Sequence, residues 1–274
     1  MKVTLKNNRL NKKFDELSKK NEHALICYVV AGYPDVTTTE DIISSLVLSG
    51  ADIIEIGIPF SDPIADGSVI QEASHQALLS GITPEKCLNI SQKIRSKFPD
   101  LPILIMTYSN ILLKAGFKNF MRRSKLSGVD GFILPDMAIE ESCCYVEQAS
   151  RLGLATVFLV SPNTPQNRLK AIINKCSGFV YAVSVYGITG LRESFEEYTL
   201  DAIKDIKQAA GSKIPVAVGF GISSTSHIKF MVDAGADAVI IGSAIITRIK
   251  SNVNKKKMLQ DLRSYTLNMK RACK

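Results

Sequence analysis

Two carboxylates, eleven residues apart, are the first candidates for chemistry in this sequence. Glu55 lies in the apolar run Ile53–Ile58, where the two-residue period of a strand puts it on the same face as Ile53. If both faces of that strand are covered, Glu55 is buried, and a buried carboxylate needs partners or takes a raised pKa. Asp66 follows on a loop that could fold back over the end of the strand. Two carboxyl groups in different environments can divide the roles of acid and base.

The elements that must position these carboxylates alternate between strands and helices. Continuous apolar runs, which are typical of a parallel sheet covered on both faces, predict eight strands. They are Ala24–Ala31, Ile53–Ile58, Leu101–Thr107, Gly131–Leu134, Ala155–Val160, Phe179–Val183, Pro215–Gly219 and Ala238–Ile241. Between them, helical spacing and capping signals predict helices. They are Phe14–Lys20, Thr37–Gly50 with a capping box at Thr37–Glu40, Ser68–Leu79, Thr83–Phe98, Phe117–Ser127, Glu140–Leu152, Asn167–Lys175, Tyr198–Ala210, Ser224–Ala234 and one final helix.

A weak internal repeat indicates that one kind of unit is reused. Ser49-Gly-Ala-Asp52, Ser127-Gly-Val-Asp130 and Ala234-Gly-Ala-Asp237 each end a helix with a glycine and lead into a strand. Eight such βα units in about 250 residues predict an α/β fold, a single (β/α)8 TIM barrel with an extra N-terminal helix. A doubly wound open sheet is the alternative, but it would normally show a Gly-rich turn after strand 1, where this chain offers only Gly32.

Length and composition favour one large domain. A chain of 274 residues with 46% hydrophobic content can bury a sizeable single core. We expect one barrel domain over 1–274, with a basic helical segment at 1–20 and the barrel itself at 24–268.

The distribution of charge and the cysteines limit the possible classes of partner and the possible cellular compartment. The net charge is +8, but the lysines cluster near the chain ends without interleaved aromatic residues, so we expect no nucleic-acid partner. No apolar run reaches the roughly 18 residues of a membrane span, and the N-terminus has no apolar signal core. Six cysteines without a CxxC pair indicate reduced thiols. These features predict a cytoplasmic protein, with a plastid stroma as the other possibility.

Glycine-bearing turns after the last three strands indicate a phosphate site. They are Gly187–Gly190, Gly219–Ser223 and Gly242-Ser243. Backbone amides at such turns, with a short helix beginning at Ser243, can surround a phosphate. Although any one of these glycines could simply turn a loop, three at neighbouring strand ends favour phosphate.

The residue types in the strands limit the carbon chemistry. A Schiff-base aldolase needs a desolvated lysine on a strand, and none of the eight strand cores contains one. A metal-assisted aldolase needs clustered ligands, yet His23, His75 and His227 are scattered, so we expect no metal. The remaining mechanism is general acid and base catalysis on a substrate that supplies its own electron sink.

One long motif connects these observations to a known family. The stretch Glu55-Ile-Gly-Ile-Pro-Phe-Ser-Asp-Pro-Ile-Ala-Asp66-Gly67, with Gly187-Ile-Thr-Gly190, Gly219-Phe-Gly-Ile-Ser223 and Gly242-Ser-Ala244, closely resembles the tryptophan synthase alpha subunit, over about residues 12–268. The resemblance implies a lyase in tryptophan biosynthesis that cleaves indole-3-glycerol phosphate to indole and glyceraldehyde 3-phosphate. Because protonation at C3 makes the indole ring the electron sink, neither lysine nor metal is required.

The resemblance also implies roles for individual residues. Glu55 matches the glutamate that protonates indole C3 and takes the proton of the side-chain hydroxyl, and Asp66 matches the aspartate that pairs with the indole N–H. Tyr181 matches a pocket tyrosine, although it could equally be a barrel-filling aromatic. The phosphate cradle would comprise Gly190, Gly221, Gly242 and Ser243. The apolar indole slot would comprise Tyr28, Ile70, Met106, Leu159 and Phe220, with Thr189 on the closing loop orienting the aspartate.

Partners follow from the same resemblance. The family pairs with a beta subunit that carries pyridoxal phosphate, so we expect an alpha2-beta2 heterotetramer and no cofactor in this chain. Lys114, Ser61-Asp62, Asn110 and Asp136 lie on segments that face that partner in the family.

Two departures from the family pattern concern loops. Ser68 replaces a usual proline, and Tyr186 a small residue or threonine. They affect how the loops close and how the subunit is activated rather than the reaction. Three alternatives stay open: a lyase that works alone and releases indole, a non-catalytic activator of a beta subunit, and another phosphate-binding barrel isomerase.

Overall fold

Eight parallel strands close into a barrel in sequence order, each pairing with its neighbours and β8 pairing with β1. The computed structural model describes residues 8–183, 197–219 and 221–274. The strands are β1 Ala24–Val30, β2 Ile53–Gly57, β3 Ile103–Met106, β4 Gly131–Ile133, β5 Ala155–Val160, β6 Val180–Val183, β7 Val216–Gly219 and β8 Ala238–Ile241. The predicted (β/α)8 barrel is therefore confirmed.

Helices surround the barrel, and one precedes it. They are α1 Arg9–Lys19, α2 Val36–Leu48, α3 Ser68–Leu79, α4 Pro84–Lys97, α5 Ser109–Lys114, α6 Phe117–Leu126, α7 Cys143–Leu152, α8 Gln166–Lys175, α9 Glu197–Ala210, α10 Thr225–Asp233, α11 Ser243–Ser251 and α12 Lys255–Arg271. Every residue of β1, β2, β3 and β4 is buried, as expected for strands covered on both faces. Among the described residues, no helix combines the length and the apolar character needed to cross a membrane.

Three details differ from the sequence prediction. The cap of α2 is Asp35, whose side chain accepts the Thr38 N–H at 2.8 Å, and not the predicted box at Thr37, because the helix begins at Val36 and Thr37 already lies inside it. A short additional helix, α5, follows β3, since Leu112 packs into the core. The predicted final helix consists of two helices, α11 and α12, that meet near Asn254, where the Asn254 side chain caps α12.

The repeated Gly-x-Asp segments connect the amino ends of neighbouring strands by hydrogen bonds. After a glycine with positive φ, each aspartate accepts a backbone N–H from the beginning of the preceding strand. The pairs are Leu25 N–H with Asp52 (2.8 Å), Ile103 N–H with Asp130 (3.0 Å) and Val216 N–H with Asp237 (2.7 Å). The repeat therefore stabilises the barrel at the face opposite the carboxyl ends of the strands.

Candidate active site

Glu55 points into the barrel from β2, between its register partners Tyr28 on β1 and Leu104 on β3. Its side chain is completely buried, and neither carboxylate oxygen has a hydrogen-bond partner among the residues that the structure describes. Burial, with a smaller contribution from the charge of Asp66, raises the pKa of Glu55 to about 8. At neutral pH this carboxyl is therefore mainly protonated and can donate a proton into the barrel.

Asp66 reaches the same space from the loop between β2 and α3. Its carboxylate accepts a hydrogen bond from the Tyr108 hydroxyl at 3.1 Å, and its carbonyl accepts one from the Gln71 amide at 2.8 Å. Burial raises the pKa of Asp66 to about 6, an effect that the Tyr108 hydrogen bond partly opposes. At neutral pH Asp66 is mainly ionised, so the two carboxyl groups hold different charges.

A single cavity brings most of the predicted site residues together. Of those predicted, it is lined by Tyr28, Glu55, Asp66, Ile70, Met106, Tyr181, Gly221, Gly242 and Ser243. Leu159 is half-buried on β5 in register with Tyr181, but it is not among the lining residues. Thr189, Gly190, Phe220 and Tyr186 lie outside the described residues.

Two residues of this region were missed by the sequence reasoning. Ile240 on β8 lines the cavity, and Tyr108 binds Asp66. Tyr108 could have been predicted from its place in the sequence, because it follows a buried strand by two residues. Barrel enzymes place functional side chains at such strand ends. Ile240 resembles every other buried strand residue in type, so nothing local distinguishes it.

Two glycines allow tyrosine rings to fill the barrel beside the carboxylates. A Cβ on Gly57 would lie 2.2 Å from Oη of Tyr28, and one on Gly219 would lie 2.5 Å from Oη of Tyr181. Any larger residue at either position would displace the ring. The positions of both phenol groups are therefore set by the absence of a side chain on the strand that each ring crosses.

The opposite end of the cavity is suited to an anion. The helix α11 begins there with Ser243, whose side chain is buried, after Gly242 as the N-cap residue. Free N–H groups and the positive end of the helix dipole favour a phosphate at such a position. Gly221 lines the same space with a φ of +83°, a backbone conformation that favours glycine.

The described residues contain no group of three or more His, Cys, Asp or Glu side chains that could hold a metal ion. None of the described residues that line the cavity is a lysine. The chemistry that these side chains can supply is proton transfer and hydrogen bonding by carboxyl and phenol groups, next to a position for an anion.

Comparisons with known proteins agree with this geometry. The family model for the tryptophan synthase alpha chain matches residues 14–274. The alpha chain of Methanocaldococcus jannaschii is 43% identical over 92% of this chain and 89% of its own length, and that of Thermoanaerobacter sp. is 41% identical over 96% and 98%.

Solved structures give the same result. The tryptophan synthase alpha chain of Legionella pneumophila is 31% identical with a TM-score of 0.89, covering 97% of both chains. A chain of tryptophan synthase from M. tuberculosis is 31% identical with a TM-score of 0.86, covering 98% of this chain and all of that one. On the family model, the sequence relatives and the barrel together, this chain belongs to the tryptophan synthase alpha chain family.

Proposed function

We propose that Glu55 and Asp66 carry out the reaction of this family, the cleavage of indole-3-glycerol phosphate to indole and glyceraldehyde 3-phosphate. The observation that carries the proposal is Glu55 itself. Its carboxyl is wholly buried, lacks a hydrogen-bond partner among the described residues, and faces a cavity that also holds Asp66. A fold gains no stability from such a group, because leaving a buried polar group unpaired costs about 1–3 kcal/mol. A substrate would supply the missing partner.

The raised pKa of Glu55 suits the first step. The protonated carboxyl gives its proton to C3 of the indole ring, which leaves a cationic indolenine and a Glu55 carboxylate. The ionised Asp66 accepts a hydrogen bond from the ring N–H and stabilises the positive charge as it forms.

The second step restores the acid. Glu55 takes the proton of the hydroxyl on the carbon attached to C3, and the bond between that carbon and C3 breaks. Its electron pair returns to the ring, so indole and an aldehyde leave without net change in protonation. The phosphate of the aldehyde remains at Gly221, Gly242 and Ser243, where the amino end of α11 favours an anion.

The partner of this chain would be a beta subunit, in an alpha2-beta2 heterotetramer. A solved relative, 36% identical with a TM-score of 0.83, is described as a tryptophan synthase complex from Pyrococcus furiosus. Two apolar side chains support an interface beside the carboxyl ends of the strands: Ile64 is 75% exposed on the loop that carries Asp66, and Leu113 is 67% exposed on α5. Pyridoxal phosphate would belong to the beta subunit.

The domain organisation and the compartment are also part of this proposal. We infer that 1–274 acts as one domain, since α1 packs Leu10, Phe14 and Leu17 into the same core cluster as the strands. The cytoplasm remains the expected compartment, with free thiols as the supporting feature: Cys27, Cys87, Cys143, Cys144, Cys176 and Cys273 form no disulfide.

The purified chain and its Glu55→Gln variant test the reaction. Release of indole from indole-3-glycerol phosphate by the native chain, and its loss in a variant that still binds the substrate, is the expected result. Ketose turnover without indole would favour an isomerase instead. Adding a beta subunit tests the non-catalytic alternative: a mere activator would yield no tryptophan from this substrate, with either the native chain or the variant.

A further inference from the structure

Besides Glu55, the cavity is lined by a tyrosine whose hydroxyl makes no hydrogen bond with the described residues. Tyr28 is 6% exposed and lines the cavity, and no hydrogen bond connects its hydroxyl to the described part of the chain. This hydroxyl can therefore still donate a hydrogen bond to a molecule bound in the cavity. The family resemblance assigns the ring of this residue to the apolar indole slot but gives its hydroxyl no role.

The ring of Tyr28 spans the two ends of the site. A Cβ on Gly242, at the anion end, would lie 3.3 Å from Cδ1 of Tyr28, whereas Oη reaches the space above Gly57 on the strand of Glu55. The phenol therefore lies alongside the path from the phosphate position to the acid. In the proposed substrate, that path is a three-carbon chain with two hydroxyl groups.

We propose that the Tyr28 hydroxyl donates a hydrogen bond to the middle hydroxyl of this glycerol chain and so selects substrates that carry it. The inference rests on the proposed function. The middle hydroxyl keeps its proton throughout the cleavage, whereas the hydroxyl nearer the ring gives its proton to Glu55. Tyr28 is then a specificity residue, because a substrate without that oxygen leaves the phenol unpaired.

The two carboxyl groups are the competing partners for this hydroxyl. Asp66 and Glu55 both lie close enough to raise the pKa of Tyr28, after the larger effect of burial. However, Oδ2 of Asp66 already accepts from Tyr108, and Glu55 is the protonated member of the pair at neutral pH. A neutral hydroxyl on the substrate leaves both carboxyl groups available for their steps.

Substitution of Tyr28 by phenylalanine, measured with two ligands, tests the proposal. The first is indole-3-glycerol phosphate, and the second is indole-3-propyl phosphate, which has the same ring, chain length and phosphate but no chain hydroxyl. We expect kcat/KM for the first to fall about tenfold, the effect of one lost hydrogen bond of about 1.4 kcal/mol. The inhibition constant of the second should change less than about twofold. Its retained binding also shows that the variant is folded.

Tyr145→Phe is the matched control, because it removes a buried hydroxyl that donates to the Phe132 carbonyl away from the cavity. It should leave both ligand constants unchanged. Equal weakening of both ligands in Tyr28→Phe, or no loss with either, would overturn the proposal. If Tyr28→Phe moves the acid limb of the pH profile but affects both ligands alike, the hydroxyl binds Asp66 rather than the substrate. This result would also overturn the proposal. Absence of turnover in the native chain would refute the proposed function before any variant is compared.

Discussion

Tyr108 holds Asp66 in place from the segment between β3 and α5. Its hydroxyl donates to Oδ2 of Asp66 at 3.1 Å and accepts the N–H of Ala65 at 3.1 Å, so one phenol group fixes both the carboxylate and its backbone. The ring packs against Phe60 at a centroid distance of 5.2 Å, at the other end of the same loop. The aspartate of the site is thus positioned by a residue that is 42 positions away in sequence.

Tyr108→Phe should therefore disturb Asp66 while keeping the ring contact with Phe60. The lost hydrogen bond stabilises the ionised form of Asp66, so the pKa of Asp66 should rise. We expect kcat/KM for indole-3-glycerol phosphate to fall about tenfold at neutral pH and its acid limb to move to higher pH. Steady-state kinetics at about ten pH values between roughly pH 5 and pH 9 would measure both effects. Tyr145→Phe, the same change far from Asp66, should lower stability alone, and an unmoved acid limb in Tyr108→Phe would contradict this positioning role.

The pH profile of kcat/KM should be bell-shaped. Asp66 acts as the carboxylate, so the rate should increase with pH through its pKa of about 6, and Glu55 acts as the acid, so the rate should decrease above its pKa of about 8. Because the two groups interact, these values belong to the pair. Asp66→Asn should remove the acid limb and also move the alkaline limb to lower pH, since the Asp66 charge raises the pKa of Glu55. An alkaline limb that stays in place would show that the two groups do not interact.

Glu55 should lower the stability of the folded protein at alkaline pH. In the unfolded chain its pKa is near 4.5, whereas in the folded chain it is about 8. Between these values the folded state holds a proton that the unfolded state has released, so the free energy of unfolding decreases as pH rises. Glu55→Gln lacks this decrease. The stability of the variant relative to the native chain should increase by about 5 kcal/mol from acid to alkaline pH, on the linkage scale of a shifted buried acid.

Urea unfolding of both proteins at several pH values between the two pKa values measures this difference. A constant gap between the native chain and Glu55→Gln would mean that Glu55 ionises as readily in the folded protein as in the unfolded one.

Gly221→Asp should weaken substrate binding by placing a negative charge and extra bulk where the phosphate binds. We expect KM to rise by about tenfold or more, as for like charges brought together at close range. Gly221→Ala is the matched control, because the φ of +83° strains any side chain at this position. If both variants raise KM equally, backbone strain or the added Cβ rather than charge is responsible. An unchanged KM in Gly221→Asp would remove the phosphate from this position.

The aspartates at the amino face should matter for stability in proportion to their burial. Oδ1 of Asp130 binds Arg9 at 2.9 Å and Oδ2 binds Arg95 at 2.7 Å, and the side chain is 1% exposed. Asp130→Asn should reduce the free energy of unfolding by about 3 kcal/mol, since the largely buried Arg95 loses its charged partner. Asp237→Asn, at a side chain 34% exposed and paired with Lys207, should cost about 1 kcal/mol. Equal losses in urea unfolding would show that burial does not decide the effect.

The sequence was sufficient for the elements and for much of the site. Continuous apolar runs identified all eight strands, and β5 and β8 have the predicted bounds. The repeated glycines predicted where helices end, because a left-handed backbone conformation there depends on the glycine itself. The alternation of Glu55 with isoleucine also predicted its burial, which depends only on the two-residue period of a strand.

Local sequence patterns did not predict the long-range contacts. The ion pair of Glu40 with Lys93, 53 positions away in sequence, is one such contact. Likewise, the Gly-x-Asp repeat was predicted as a helix ending, but its aspartates bind the beginning of another strand. Such pairings depend on which strands become neighbours, and local patterns carry no information about that.

The sequence alone determined the fold class, the family and the residue types available for acid and base chemistry, because these follow from local periodicity and from one long motif. Only the closed barrel decided that Glu55 lacks a partner among the described residues, that Tyr108 holds Asp66, and that the Tyr28 side chain reaches from the Gly242 position to the Gly57 position. Closure sets the depth, the neighbours and the solvent access of each inward side chain, and these three quantities determine its pKa and its free hydrogen-bonding capacity.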